Sequence, residues 1–190
     1  MSLISSFVVA MSLLSCLSNY LKKRRRTFSL FPPLKTSKKY NFQTKSEEEV
    51  EKVLACTEDV VDGGGGYARV SRGIIFYKYF GVGGVSDELP LVVICHGFMG
   101  SSNDVSYLAE VICAMRRVLV FDLIGTNNSV STHNHLDDAV FYASSLAELL
   151  LVLGEDKPID LIGFSMGGGV TSKFAALYPK SINSLVQIAP

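Results

Sequence analysis

Four short runs rich in apolar residues, Leu91–Cys95, Val118–Phe121, Ile159–Gly163 and Ile182–Ala189, alternate with longer stretches of helical spacing. This alternation limits the available folds more than any other feature. Leu91–Cys95 and Val118–Phe121 are apolar at every position, so each needs cover on both faces. Strands of a parallel sheet with crossover helices meet that need. Between them, Asn103–Met115 sets Val105, Leu108, Val111, Ile112 and Met115 near helical spacing. Leu136–Leu153 reads as a long helix, with Asp137 and Asp138 where the helix dipole favours negative charge and Gly154 at the C-terminal cap. Met166–Tyr178 reads as a third helix, stopped by Pro179. Ile74–Tyr79 reads as an early strand, paired antiparallel. The expected class is α/β: a mostly parallel sheet with helices on both faces.

The run ending at Gly163 leads into Gly163-Phe164-Ser165-Met166-Gly167-Gly168. A serine on a tight turn between strand and helix holds its hydroxyl clear of the backbone, and G-x-S-x-G is the sequence form of that elbow. Glycines two before and two after the serine remove Cβ atoms that would collide, and Gly168 gives the helix further room against a neighbouring strand. The Met166 N–H, at the helix start, would face a developing oxyanion. In a chain with 16 glycines the motif alone is a weak signal, and a glycine-rich loop before a helix would look the same. Two further motifs, each following one of the buried runs, strengthen it: His96-Gly97-Phe98-Met99-Gly100 and Asp122-Leu123-Ile124-Gly125-Thr126-Asn127-Asn128-Ser129.

In their order and spacing these three motifs resemble the α/β-hydrolase superfamily, in its serine lipase and esterase branch, from about Gly73 to Pro190. The resemblance implies that Ser165 is the nucleophile and that the backbone N–H groups of Phe98 and Met166 form the oxyanion hole. It implies supporting roles for His96, Gly97, Gly163 and Gly167, with His96 bracing its loop and not serving as the base. One departure stands out. The family commonly carries Asp-x-x-Gly-His-Gly-x-Ser, whereas here Thr126 and Asn127 replace the His-Gly pair. Asn tolerates positive φ better than most residues, so the turn is expected to survive.

In the family the acid and the histidine follow the nucleophile in the chain. The 25 residues after Ser165 contain no Asp, Glu or His. His133 and His135 fit a solvated polar loop better than a catalytic base, and Asp122 fits a turn-shaping role better than a triad acid. The chain therefore reads as the N-terminal portion of a hydrolase, with an apolar sheet edge left open.

Charge divides the chain. Residues 1–46 hold nine Lys or Arg and no acid, whereas 47–190 hold nine basic and 18 acidic residues. Met1–Leu21 is uncharged and apolar with six serines, and Lys22-Lys23-Arg24-Arg25-Arg26 follows. Such a segment is long enough to span a bilayer, with the basic cluster and the domain after it on the cytosolic side. A mitochondrial presequence, a secretory signal and a leader without a role remain open alternatives. The basic cluster also suits anionic lipid. The expected organisation is a membrane-anchor or targeting segment over 1–21, a basic then acidic linker over 22–66, and an incomplete hydrolase domain over 67–190. Gly63–Gly66 reads as a flexible break, and lacks the Gly-Lys-Ser/Thr of a phosphate loop.

Cys16, Cys56, Cys95 and Cys113 show no metal-ligand spacing, and Cys95 and Cys113 read as small core residues. No metal, cofactor or nucleic-acid motif is present. Two functions fit these observations: a serine hydrolase acting on small-molecule or lipid carboxylic esters, membrane-associated through residues 1–26, or a non-catalytic hydrolase-like binding or scaffold protein.

Overall fold

The computed structural model describes residues 64–81, 88–132 and 138–190. They build a seven-stranded sheet from β1 (Gly65–Val70), β2 (Gly73–Phe80), β3 (Val92–Cys95), β4 (Val118–Phe121), the two-residue β5 (Val130–Ser131), β6 (Ile159–Phe164) and β7 (Ile182–Ile188). Strand order is β1-β2-β4-β3-β6-β7, with β5 beside β2. β4, β3, β6 and β7 run parallel, while β2 is antiparallel to β1, β4 and β5.

Among the described residues, three α-helices cover this sheet: α1 (Ser102–Ile112), α2 (Ala139–Val152) and α3 (Met166–Leu177). Successive strand residues face opposite sides. Val93, Cys95, Leu119, Phe121 and Leu161 join one buried cluster with Leu146 and Leu149 of α2 and Val170 and Phe174 of α3. The alternate residues Val92, Ile94, Val118 and Val120 are equally buried, on the face where α1 packs against β2, β3 and β4. Burial on both faces is why these strands carry no polar alternation. The expected α/β class with helices on both faces is what the chain adopts.

Several boundaries differ from the sequence expectation. The first helix ends at Ile112 instead of Met115. Met115 is exposed, so its helical spacing was coincidental. Cys113 caps that helix half-buried, its Sγ directed at the Glu110 carbonyl, and is not a core residue. The long helix starts at Ala139, with the Asp138 carboxylate accepting from the Val140 N–H. Gly65 and Gly66 belong to β1, paired with Lys78 and Tyr77, and so are not a loose break. Here strand pairing outweighs the low strand propensity of glycine. Residues 1–63, with the expected anchor and most of the linker, lie outside the described residues, as do His133 and His135. Among the described residues, no helix is long and apolar enough to cross a membrane.

Candidate active site

The chain steps from β3 to β4 on one side and then returns past β3 to β6, which pairs with it on the other. Loops leaving the carboxyl ends of β3 and β6 therefore diverge toward α1 and α3, on opposite faces. Such a reversal leaves a crevice at the strand ends. The loop that begins at His96 and the turn at Ser165 both lie there.

Ser165 has φ 52° and ψ −122°, outside the conformations that L-residues ordinarily adopt. A residue held there costs on the order of 1–3 kcal/mol and persists only if its surroundings over-determine it. They do so here. The Ser165 N–H donates to the Ile188 carbonyl at 2.9 Å, and its own carbonyl accepts from the Gly168 N–H at 2.7 Å. The side chain makes no capping bond to α3, and the residue is exposed. The hydroxyl thus stands free at the corner.

Close packing explains the flanking glycines. A methyl group on Gly163 would lie 2.6 Å from the Gly167 carbonyl oxygen and 2.7 Å from the Gly168 Cα. One on Gly167 would lie 2.5 Å from the His96 carbonyl oxygen and 2.6 Å from that of Cys95. The first glycine lets α3 close onto β6, and the second lets it close onto the end of β3. Gly97 sits across the crevice: a Cβ there would be 3.1 Å from the Ser165 Cβ and 3.1 Å from the Phe164 carbonyl oxygen. The Gly97–Phe98 peptide is therefore a direct neighbour of the serine. Phe98 and Met166, the two residues whose N–H groups the sequence singled out, follow directly on Gly97 and Ser165.

His96 is only 1% exposed. Its Nδ1 donates to the Gly97 carbonyl at 2.8 Å, and its Nε2 accepts from the Leu123 N–H at 3.0 Å. Those two bonds fix the neutral ring with its proton on Nδ1. Burial pushes its pKa below the ordinary histidine value, against a partial opposing effect from the Gly97 carbonyl, Asp122 and Asp104. With both nitrogens engaged, His96 is a brace between two loops. It is the sole histidine among the described residues. The buried Cys95 thiol is pushed up to about 12 by burial and has no nucleophilic character.

The loop after β4 is built to match. The buried Asp122 carboxylate accepts from the Ser102 N–H at 2.6 Å, at the start of α1, and from the Asn128 N–H at 3.1 Å. Ser129 Oγ donates to the Asp122 carbonyl at 2.7 Å and accepts from the Phe76 N–H at 2.9 Å. Asn127 takes φ 48°, the left-handed turn where the family pattern has glycine. Its Nδ2 donates to the Gly100 carbonyl at 2.6 Å. Sequence reasoning recognised this residue's tolerance of the turn but missed the tether. The tether's only trace in the sequence was an amide side chain standing where a glycine was expected.

Around the serine, Phe98 (62% exposed), Met99 (49%) and Phe164 (38%) present large apolar side chains to solvent. Among the described residues, no group of three or more His, Cys, Asp or Glu could hold a metal ion.

A parallel-centred sheet with a strained serine between strand and helix, beside a His-Gly loop, defines the hydrolase class of α/β proteins. The chain belongs to the alpha/beta hydrolase fold family, whose model matches residues 90–190. It is 28% identical over 147 residues to the 1-acylglycerol-3-phosphate O-acyltransferase ABHD5 of Sus scrofa, covering 76% of this chain and 41% of that protein. It is 35% identical over 98 residues to Lipase 3 of Moraxella sp. (strain TA144), covering 50% of this chain and 30% of that one. The structure of a thermophilic esterase from Thermogutta terrifontis superposes with a TM-score of 0.56 at 28% identity, covering 64% of this chain and 44% of that chain. The chain spans about two fifths of the length of the first of these relatives.

Proposed function

We propose that this chain carries the nucleophile and the oxyanion hole of a serine hydrolase acting on carboxylic esters with an apolar acyl part. Ser165 Oγ attacks the ester carbonyl carbon and gives its proton to a base. The carbonyl oxygen becomes an oxyanion and accepts from the Phe98 and Met166 N–H groups, each worth about 3 kcal/mol in comparable sites. Collapse breaks the bond to the alcohol, which leaves with the proton. Water then attacks the acyl-serine as the same base takes its proton. Collapse of this second oxyanion breaks the bond to Ser165 Oγ, releases the carboxylic acid and returns the proton to the serine. A base from outside the described residues completes the cycle, because both nitrogens of His96 are occupied.

The observation that carries this reading is the backbone of Ser165, held at φ 52° against the Gly97 loop. A strained residue with an exposed, uncapped hydroxyl has no packing purpose. The apolar acyl preference rests on the exposed Phe98, Met99 and Phe164 at the same corner. The lipase and esterase among the relatives support the reaction class.

The test is active-site labelling. A fluorophosphonate probe applied to the full-length protein is expected to label native protein and not Ser165→Ala. Equal labelling of both, or of neither, would remove the enzymatic reading and favour a hydrolase-like binding protein.

The charge division supports a location. We propose that residues 1–26 attach the protein to a membrane with the hydrolase domain on the cytosolic side, the uncharged segment entering the bilayer and the basic cluster staying at its surface. Release of the protein into the supernatant by alkaline carbonate would count against insertion.

A further inference from the structure

The Phe98 amide is useful to a reacting carbonyl only if it points at the place where negative charge develops. A trans peptide is rigid, so its N–H points opposite to its C=O. The aim of the Phe98 N–H is therefore set by whatever holds the Gly97 carbonyl. Two donors hold it: His96 Nδ1 at 2.8 Å and the Gly100 N–H at 3.1 Å. The His96 ring is anchored in turn by the Leu123 N–H. The Gly100 side of the clamp lies in exposed loop. Phe98 and Met99 between the two anchors are solvent-exposed, and Met99 sits at φ 54°, a strained conformation for an unbranched side chain. Such a turn needs a restraint from outside itself.

That restraint comes from Asn127. Its Nδ2 donates to the Gly100 carbonyl at 2.6 Å, from a loop whose own shape is fixed by Asp122, Thr126 and Ser129. The backbone passes close at Gly100: an added Cβ would lie 3.1 Å from the Gly97 oxygen and 3.3 Å from His96 Nδ1. The chain of bonds runs Asn127 side chain to Gly100 carbonyl, Gly100 N–H to Gly97 carbonyl, and across the peptide to the Phe98 N–H.

We propose that Asn127 is a positioning residue for the Phe98 amide, tethering the loop after β3 to the loop after β4 through Gly100. The proposal rests on the hydrolase reading for its catalytic consequence, and on geometry alone for the tether. It also accounts for an asparagine at a position where the turn asks only for positive φ. Glycine would satisfy the backbone and leave Gly100 unheld. Asparagine satisfies the backbone and supplies the donor.

Asn127→Gly is the informative substitution, because it relaxes φ 48° and removes only the tether. Asn127→Asp keeps the size and turn tolerance but sets a carboxylate against a carbonyl oxygen. In the full-length protein with p-nitrophenyl butyrate as probe, Asn127→Gly should lower kcat about tenfold, as expected when one oxyanion donor is misaimed and not lost. KM should stay within about twofold, and Asn127→Asp should lower kcat further. A residue that merely stabilised the fold would lower the melting temperature without dividing kcat from KM. Backbone 15N relaxation should show the Phe98 amide more mobile in Asn127→Gly than in native protein. Native kcat and native Phe98 order in that variant would overturn the proposal, even with activity abolished by Ser165→Ala. If Ser165→Ala instead keeps native turnover, the hydrolase reading fails, and the relaxation data alone decide whether the tether exists.

Discussion

Three consecutive glycines, 167 to 169, lie in the first turn of α3 and look alike in the sequence, yet they face different surroundings. Gly167 abuts the His96 and Cys95 carbonyls, and a methyl group on Gly168 would lie 2.7 Å from the Pro190 Cβ. Gly169 has nothing within 4 Å of an added methyl. Gly167→Ala should cost on the order of 1–3 kcal/mol, because the Cys95 and His96 backbone oxygens would have to retreat. Gly169→Ala should stabilise the fold by about 0.5–1 kcal/mol, since a helical glycine mainly adds freedom to the unfolded chain. Urea unfolding of the two variants checks the contrast, and equal effects would mean that α3 does not close onto β3 as described. The glycine two residues before the serine and the one two residues after it were readable from spacing alone, because the turn geometry imposes them. What each glycine touches was not, because the contacts with β3 and with Pro190 join segments far apart in the chain. Asn127 belongs to the same category: its turn was legible locally and its bond to Gly100 was not.

At the scale of elements, His96 joins the end of β3 to the start of the loop after β4 by accepting the Leu123 N–H. That bond exists only while Nε2 is unprotonated. Burial dominates the electrostatics of this ring, outweighing Asp122 and Asp104, and lowers its pKa. The unfolded chain therefore takes up a proton near the ordinary histidine value of about 6.5, while the folded chain resists it. The contribution is fully present above that pH and is lost as pH falls toward the lowered value, at a slope of at most about 1.4 kcal/mol per pH unit. His96→Asn should be less stable at neutral pH and show a flatter decline from pH 7 to pH 5.5. Parallel slopes in native protein and variant would mean that His96 is not buried neutral. The elements themselves were largely legible, since β3 and β4 are apolar at every position and their length suits a strand. The main loss was β1, Gly65–Val70, whose opening glycines carry no strand signal and are recruited by pairing with β2. The end of α1 was overshot because periodicity continues past Ile112, where the backbone turns away.

At the scale of the molecule, the sheet is unequal at its two sides. Among the described residues, β1 runs antiparallel to β2 and is packed by α2, whereas β7 pairs with β6 alone and meets α3 on one face. Leu185 and Val186 are successive, so they face opposite sides of the sheet, and each is 37% exposed. In β3, β4 and most of β6 the equivalent positions are buried. A parallel strand with part-exposed apolar groups on both faces is a template for adding another strand. The chain should therefore self-associate through β7 as its concentration rises. Replacing Leu185 and Val186 together by lysine should shift it toward the monomer, because charged side chains on an edge oppose pairing. Both positions are partly solvated and neither belongs to the main buried cluster, so the double variant is expected to keep the fold. Sedimentation velocity over a tenfold concentration range measures this directly. A concentration-independent monomer in the native chain would show that β7 is shielded in solution. Association unchanged by the double substitution would move the contact elsewhere, with the apolar corner of Phe98, Met99 and Phe164 the next surface to substitute.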